Sequence, residues 1–351
     1  MQNKTIIISP ILKLAGIIII IAGLKVANSI LLPLLLALFV SIICAQPILW
    51  LIKKKIPNWL SILIVLSGLL IILIVLASII GNSLSQFTSK LPKYEEGLNN
   101  ILISLSHRFN FIESGISFDQ IIEQIDTSKV LQFSSNLLGQ LGNLMSNSFV
   151  ILLVTIFILA EMNVANVKTK LLEQEFSQSL DYLNEVGRKI RHYLSLKTLI
   201  SLITGILITI WLLIFKVEYA ILWGVIAFLL NYIPNIGSII AAVPTMLLAL
   251  VDIGFSGFLW TGVGYLLVNV LMGSIIEPKL MGRGLGLSTL VVFISLIFWG
   301  YIFGGVGMFL SIPITISFKI ILEKNENTKW ISLLLSSGEE VDKMLKANTK
   351  N

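Results

Sequence analysis

Four long runs of this chain carry no charged residue: 26–52, 56–89, 130–160 and 284–318. A fifth stretch, 198–276, holds only Lys216, Glu218 and Asp252. A bilayer-spanning helix needs about 20 mostly apolar residues, so each run is long enough for at least one crossing. None shows the strict apolar/polar alternation of an outer-membrane barrel strand. The runs therefore predict helical membrane spans. Composition agrees: charged residues make up 13% and apolar ones 56%, with a mean hydropathy of +0.93. A soluble domain carries about 25% charge. A soluble enzyme, a disordered chain and a secreted disulfide scaffold are excluded. The single cysteine, Cys44, lies inside an apolar run and says nothing of redox compartment.

Spans fall near 10–27, 28–50, 59–80, 144–162, 198–215, 219–251, 255–276 and 288–322. The chain reads as an all-α polytopic membrane protein of about eight membrane segments. Lys4 and the apolar run near 14–24 resemble a signal peptide, but no A-x-A-like site follows, so the first helix is read as retained. The expected organisation is membrane helices 1–3 in 1–80, an extracytoplasmic region of short amphipathic helices in 81–143, and a fourth membrane helix in 144–162. A cytoplasmic amphipathic helix in 163–197, a C-terminal membrane domain in 198–322 and a loosely ordered cytoplasmic tail in 323–351 follow. In the first amphipathic region, Ser117 with Gln120 fits a capping box, and Asp126 or Thr127 suits the next helix start. In the second, Phe176, Leu180, Leu183, Val186, Ile190 and Leu194 form an apolar stripe.

Counting Lys and Arg orients the chain. With a cytoplasmic N-terminus, and each long stretch returning to the side it entered, 19 basic residues lie inside. Only six lie outside: Lys25, Lys90, Lys93, Arg108, Lys129 and Lys216. The net charge of +6 then reflects membrane orientation, and a nucleic-acid partner is not required.

The stretches 219–251 and 288–322 are too long for one helix and short for two full crossings. Each is broken in the middle, at Asn231-Tyr-Ile-Pro-Asn-Ile-Gly237 and at Gly300-Tyr-Ile-Phe-Gly-Gly-Val-Gly307. A 69-residue offset aligns Tyr232 with Tyr301 and Pro244 with Pro313, and leaves Thr245 one residue out of step with Thr315. One span separates the two, which gives them opposite orientations. This is the pattern of an inverted repeat, whose sites sit at paired broken helices. Two readings stand: a pair of re-entrant hairpins, or two ordinary tight hairpins that cross fully.

Catalytic constellations are absent. The two histidines, His107 and His192, are assigned to opposite sides, no Cys/His metal site is available, and there is no phosphate-binding loop of the G-x-x-x-x-G-K-[ST] type. No metal and no cofactor are expected. What remains is polar residues within apolar sequence, each a functional candidate by default. Asn231 and Asn235 flank Pro234, which frees a carbonyl, so this break suits a small hydroxylated solute or a cation. Equally, the amides can satisfy the broken helix's own backbone. Glu277 and Pro278 close the span 255–276, with Lys279 and Arg283 after them. The carboxylate can take up protons or a cation, or form an interfacial ion pair with Lys279 or Arg283. Asn269 lies two helical turns before Glu277, on one face. Trp211, Trp223, Trp260 and Trp299 are read as interface anchors.

The segments Asn231-Tyr-Ile-Pro-Asn-Ile-Gly-Ser-Ile-Ile-Ala-Ala-Val-Pro244 and Ile276-Glu-Pro-Lys-Leu-Met-Gly-Arg-Gly-Leu-Gly-Leu-Ser-Thr-Leu-Val-Val-Phe293 resemble the autoinducer-2 exporter family of bacterial membrane proteins. So do His192-Tyr-Leu-Ser-Leu-Lys-Thr198 and the run from Trp299 to Pro313. The likeness covers nearly the whole chain, is weakest in 81–143 and the tail, and is greatest to the branch with the quorum-sensing signal exporter. It implies about eight membrane segments with cytoplasmic termini in the inner membrane, and export of autoinducer-2. Other members are associated with Na+/H+ exchange.

The expected function is therefore a non-enzymatic secondary transporter of a small polar solute, with cation/proton exchange as the rival. Asn231, Pro234, Asn235, Gly237, Asn269, Gly304, Gly305 and Gly307 would line the path. Glu277, Pro278 and Arg283 would form a gate or coupling site. Protons or Na+ are the candidate coupling ions, and self-association fits such a protein.

Overall fold

The computed structural model describes residues 10–109, 147–234, 236–281, 286–324, 326–338 and 340–342, with scattered positions between 132 and 142. Among them there is no strand, only one isolated bridge between Leu287 and Ser336. The helices are α1 (Pro10–Val26), α2 (Asn28–Lys53), α3 (Asn58–Phe109), α4 (Ser148–Ile214), α5 (Ala220–Leu230), α6 (Ile236–Ile253) and α7 (Phe255–Asn269). A π-helix (Val270–Ile276), α8 (Glu277–Met281), α9 (Thr289–Lys324) and α10 (Lys329–Leu335) complete the order.

The protein is a multi-pass all-α membrane protein. Among the described residues six helices are long and apolar enough to cross a membrane: Asn28–Lys53, Asn58–Ile101, Gly187–Ile214, Ile236–Ile253, Phe255–Leu280 and Thr289–Glu323. Three shorter apolar helices, Leu14–Val26, Ser148–Glu161 and Ala220–Leu230, accompany them. Large apolar side chains such as Ile19, Ile71 and Leu266 are more than 60% exposed, as a lipid-facing surface requires. Chain contacts define two compact units. Unit 1 comprises 1–45, 150–191 and 283–351, and unit 2 comprises 46–149 and 192–282.

Two helices run past their expected ends. The helix of the third span does not stop at the span's expected end near 80: α3 continues to Phe109. The cause is an apolar seam, Ile80, Leu84, Phe87, Leu91, Tyr94 and Leu98, at the alternating three- and four-residue spacing of a coiled coil. It packs in the main core of unit 2 with Ile208, Leu212, Trp223 and Leu248. At 52 residues α3 is about 78 Å long, so it cannot lie wholly within a 30 Å hydrocarbon layer. Likewise α4 runs unbroken through the polar stretch 163–197. That stretch holds no proline and is rich in Glu, Lys, Leu and Gln, all good helix formers. The side chains of Phe176, Leu180, Leu183 and Val186 lie outside the described residues, as do Ser117, Gln120, Asp126 and Thr127.

Both long stretches fold back on themselves. In α9, Trp299 Nε1 donates to Thr315 Oγ1 at 3.1 Å. Sixteen residues of straight helix would separate them by about 24 Å. The reversal is at Gly304, with φ 65° and ψ −149°, a left-handed conformation that glycine adopts without strain. A Cβ at Gly307 would overlap the Trp299 carbonyl oxygen, and one at Gly237 would overlap that of Leu230. Leu230 and Trp299 are related by the same 69-residue offset. Gly237 and Gly307 are one residue out of step, as are Thr245 and Thr315. The two hairpins therefore reverse with the same close contact.

Two expectations are corrected. Trp223 (1% exposed) and Trp299 (8%) are core residues, not interface anchors. Trp299 stacks on Phe303 and Phe318 in unit 1, beside Ile21, Leu24 and Leu35. Nor are the described residues of 326–342 loose. Thr328 Oγ1 bonds the Leu322 carbonyl, Ser288 N–H bonds Leu335 O, and Ser337 N–H bonds Gly286 O. Lys319, 3% exposed, reaches both the Gly286 carbonyl (2.7 Å) and the Glu340 carboxylate.

Candidate functional site

One turn of α4 gathers the polar groups of unit 2. Lys197, Thr198 and Ser201 share a face of the helix, since residues three and four apart are neighbours there. Lys197 Nζ donates to Glu277 Oε1 at 2.6 Å. The lysine side chain is 2% exposed and the glutamate 22%. Ser201 Oγ, fully buried, accepts from Asn231 Nδ2 at 2.9 Å. Thr198 Oγ1 accepts from the Tyr232 hydroxyl at 2.7 Å and donates to the Leu194 carbonyl. The helix break at 231–235 and the carboxylate after α7 are thus held on the same turn, about 5.4 Å apart along α4.

The break explains why Asn231 is available. Two of its backbone carbonyls are taken by the chain itself, with Ile236 N–H on Pro234 O (2.6 Å) and Gly237 N–H on Ile233 O (3.2 Å). The Asn231 amide therefore turns to α4 rather than to the broken backbone. Gly237 is required because Leu230 passes over it. Half-buried Asn231 keeps its carbonyl oxygen as a further acceptor.

Glu277 reaches Lys197 because the helix before it is overwidened. The seven residues Val270–Ile276 form a π-helix, and Glu277 N–H bonds Met272 O, five residues back. Such bulges are rare and recur at functional sites. They also remove the two-turn relation expected between Asn269 and Glu277, because that relation assumes α-helical winding. Asn269 ends α7 half-buried. Pro278 is exposed one residue past the ion pair. Among the described residues the partner of Glu277 is therefore Lys197, not Lys279.

Deeper in the bundle, Thr245 Oγ1 bonds the Ala241 carbonyl and lies 3.1 Å from the Tyr265 hydroxyl, so the α6–α7 contact is also polar. In unit 1, Gly304 and Gly305 are exposed at the hairpin tip and Gly307 is buried under Trp299. Asn235 and Arg283 lie outside the described residues. Sequence reasoning missed Lys197, Thr198 and Ser201. They straddle position 198, where the amphipathic helix expected in 163–197 meets the charge-poor stretch, and Lys197 there reads as a cation of the polar helix face. No group of three His, Cys, Asp or Glu side chains that could hold a metal occurs among the described residues.

Residues 14–327 match the family described as AI-2E family transporter. A Haemophilus influenzae protein whose name assigns it provisionally to transport is 39% identical over 97% of this chain and 99% of its own length. The AI-2 transport protein TqsA of Escherichia coli is 38% identical over 93% of this chain and 95% of its own. Escherichia coli YhhT, also named provisionally for transport, is 35% identical over 93% and 94%.

Proposed function

The chain belongs to the AI-2E transporter family, and on that premise we propose that it exports a small polar signal molecule, autoinducer-2 or a close analogue, across the bacterial inner membrane. The likeness to a protein named for AI-2 transport supports the solute class. The observation that carries the reading is the single turn of α4 that holds Asn231 through Ser201 and Glu277 through Lys197. A polyhydroxylated solute exchanges hydrogen bonds with the Asn231 amide and the Ser201 hydroxyl. The adjoining ion pair reports that exchange as a change in charge, which gives protons or Na+ a point of coupling.

In this reading Asn231, Pro234, Asn235, Gly237 and Asn269 line one half of the path, and Gly304, Gly305 and Gly307 the other. Glu277, with Lys197, Pro278 and Arg283, forms the gate or coupling site. The two folded-back stretches act as re-entrant hairpins of an inverted repeat. Both termini face the cytoplasm, as the 19 to 6 split of basic residues favours. Self-association of the chain fits the same reading.

Proteoliposomes preloaded with autoinducer-2 test it, with and without a pH gradient and with Glu277→Gln alongside. Protein-dependent efflux that the gradient accelerates, and that Glu277→Gln uncouples, is expected. Absence of efflux, with proton movement on adding Na+ instead, would replace the reading by cation/proton exchange. Unchanged pH dependence in Glu277→Gln would remove the coupling role.

A further inference from the structure

Unit 2 carries a second polar cluster, at the end of its bundle away from Lys197 and Glu277. Glu218 follows α4 in the turn 215–219, 21 positions beyond Lys197, or roughly 30 Å along that helix direction. Its carboxylate accepts from Lys90 Nζ at 2.9 and 3.1 Å and from the Tyr94 hydroxyl at 2.6 Å. Lys90 also stands 5.8 Å from the centre of the Tyr219 ring. Lys93 from α3 attracts both Glu218 and Asp252, the latter in the last turn of α6, where Glu218 repels it.

Two features mark this turn as poised rather than relaxed. Lys216 and Tyr219 both hold positive φ, 57° and 58°, a conformation unfavourable to residues with a Cβ. The Tyr219 hydroxyl and Asp252 Oδ2 are buried with no hydrogen-bond partner. A rearranged turn could satisfy both oxygens. What opposes it is the grip on Glu218. Burial works against the charged carboxylate, but the hydrogen bonds from Tyr94 and Lys90 outweigh it and hold Glu218 below the usual carboxylate range. The α3 arm does not need this grip, because the seam from Ile80 to Leu98 already packs it. Lys90 and Glu218 are 40% and 35% exposed, so the pair adds little to global stability.

We infer that Glu218, gripped by Lys90 and Tyr94, is the latch of a second gate, which holds the 215–219 turn shut at the end of unit 2 opposite Lys197 and Glu277. The inference rests on the transport reading: a path with one gate leaks, and this is the one other ion-paired position among the described residues of unit 2. Release of Glu218 frees the two strained residues, and the turn swings from Val217, which is 4% exposed in the closed form.

Two measurements on the full-length protein test it. The first uses Val217→Cys in a Cys44→Ser background and follows maleimide labelling of the purified protein. Adding Glu218→Gln should speed labelling about tenfold, the factor that one charge-assisted hydrogen bond supplies, with an unchanged melting temperature. The second joins Lys90→Cys to Glu218→Cys with a reducible bifunctional thiosulfonate. Autoinducer-2 flux in proteoliposomes should stop on cross-linking and return on reduction. Labelling that Glu218→Gln leaves unchanged, or cross-linked protein that transports at the free rate, overturns the latch. If the protein moves no autoinducer-2 even before cross-linking, the solute reading fails instead, and the labelling rate still decides the latch.

Discussion

Replacing Glu277 by Gln removes one half of a buried ion pair while keeping its shape. Lys197, 2% exposed, then holds a charge with no counter-charge. Breaking a buried pair in this way costs about 3–5 kcal/mol. The protein can escape part of that by releasing the Lys197 proton. Deprotonating an ordinary lysine, with pKa about 10.4, at pH 7 costs about 4.6 kcal/mol, which sets the ceiling. Glu277→Gln should therefore lose about 3–4.6 kcal/mol. With about 2.1 cal/mol/K of unfolding entropy per residue, a 4 kcal/mol loss over the whole chain lowers the melting temperature by about 5 °C. Thermal unfolding of the detergent-solubilised protein, followed by the fluorescence of its seven tryptophans, measures this. Lys197→Met with Glu277→Leu replaces the pair by apolar groups, and should recover most of the loss. A Glu277→Gln variant within about 1 °C of the parent, or a double variant less stable than either single one, would refute the claim that these two charges compensate only each other.

Gly237→Ala and Gly307→Ala each drive a methyl into a backbone carbonyl, so each should cost more than about 2 kcal/mol by thermal unfolding, whereas Gly68→Ala, with open space around it, should cost nothing measurable. Glu340→Gln leaves Lys319 with only the Gly286 carbonyl, and limited proteolysis should then cut between 325 and 342 at least tenfold faster. Glu218 is held below its ordinary pKa, so its stability contribution, small because the pair is exposed, is present above the unfolded value near 4.5 and lost as pH falls through the lower folded value. Infrared difference spectra against Glu218→Gln should thus show no protonated carboxyl band for this residue from pH 8 to pH 5, and its appearance only below about 4.5.

The spans were readable because absence of charge is a long, redundant signal. The breaks at Asn231–Gly237 and near Gly304 were readable because proline and glycine act locally on the backbone. Where the reading stopped short, the deciding contact was distant or the signal ambiguous. The end of the third span was placed near 80 because polarity changes there, yet a polarity change is not a helix stop. The seam at Ile80, Leu84, Phe87, Leu91, Tyr94 and Leu98 was present in the sequence and carries α3 onward. Lys197 reads as one more cation of the cytoplasmic amphipathic helix because its partner lies 80 positions away. The π-helix before Glu277 has no composition of its own, so nothing in Val270–Ile276 foretold the rotation that aims the carboxylate. Polarity alone makes the segment after 323 read as loose, while the order of its described residues up to 342 comes from Lys319 and the backbone at Gly286.

The two units are interleaved along the chain, and that has a consequence for synthesis. Polypeptides emerge from the ribosome N-terminal end first. Unit 2 draws on 46–149 and 192–282, so every contact of its core is available once residue 282 has been made. Unit 1 draws on 1–45 and 150–191 as well, but also on 283–351. Its α1 therefore sits in the membrane, without the Trp299–Phe303 layer it packs on, while some 270 further residues are translated. A membrane insertase or a lipid annulus must shield that helix throughout. Nascent chains arrested once residue 282 has cleared the ribosome should accordingly contain a finished unit 2 and an open unit 1.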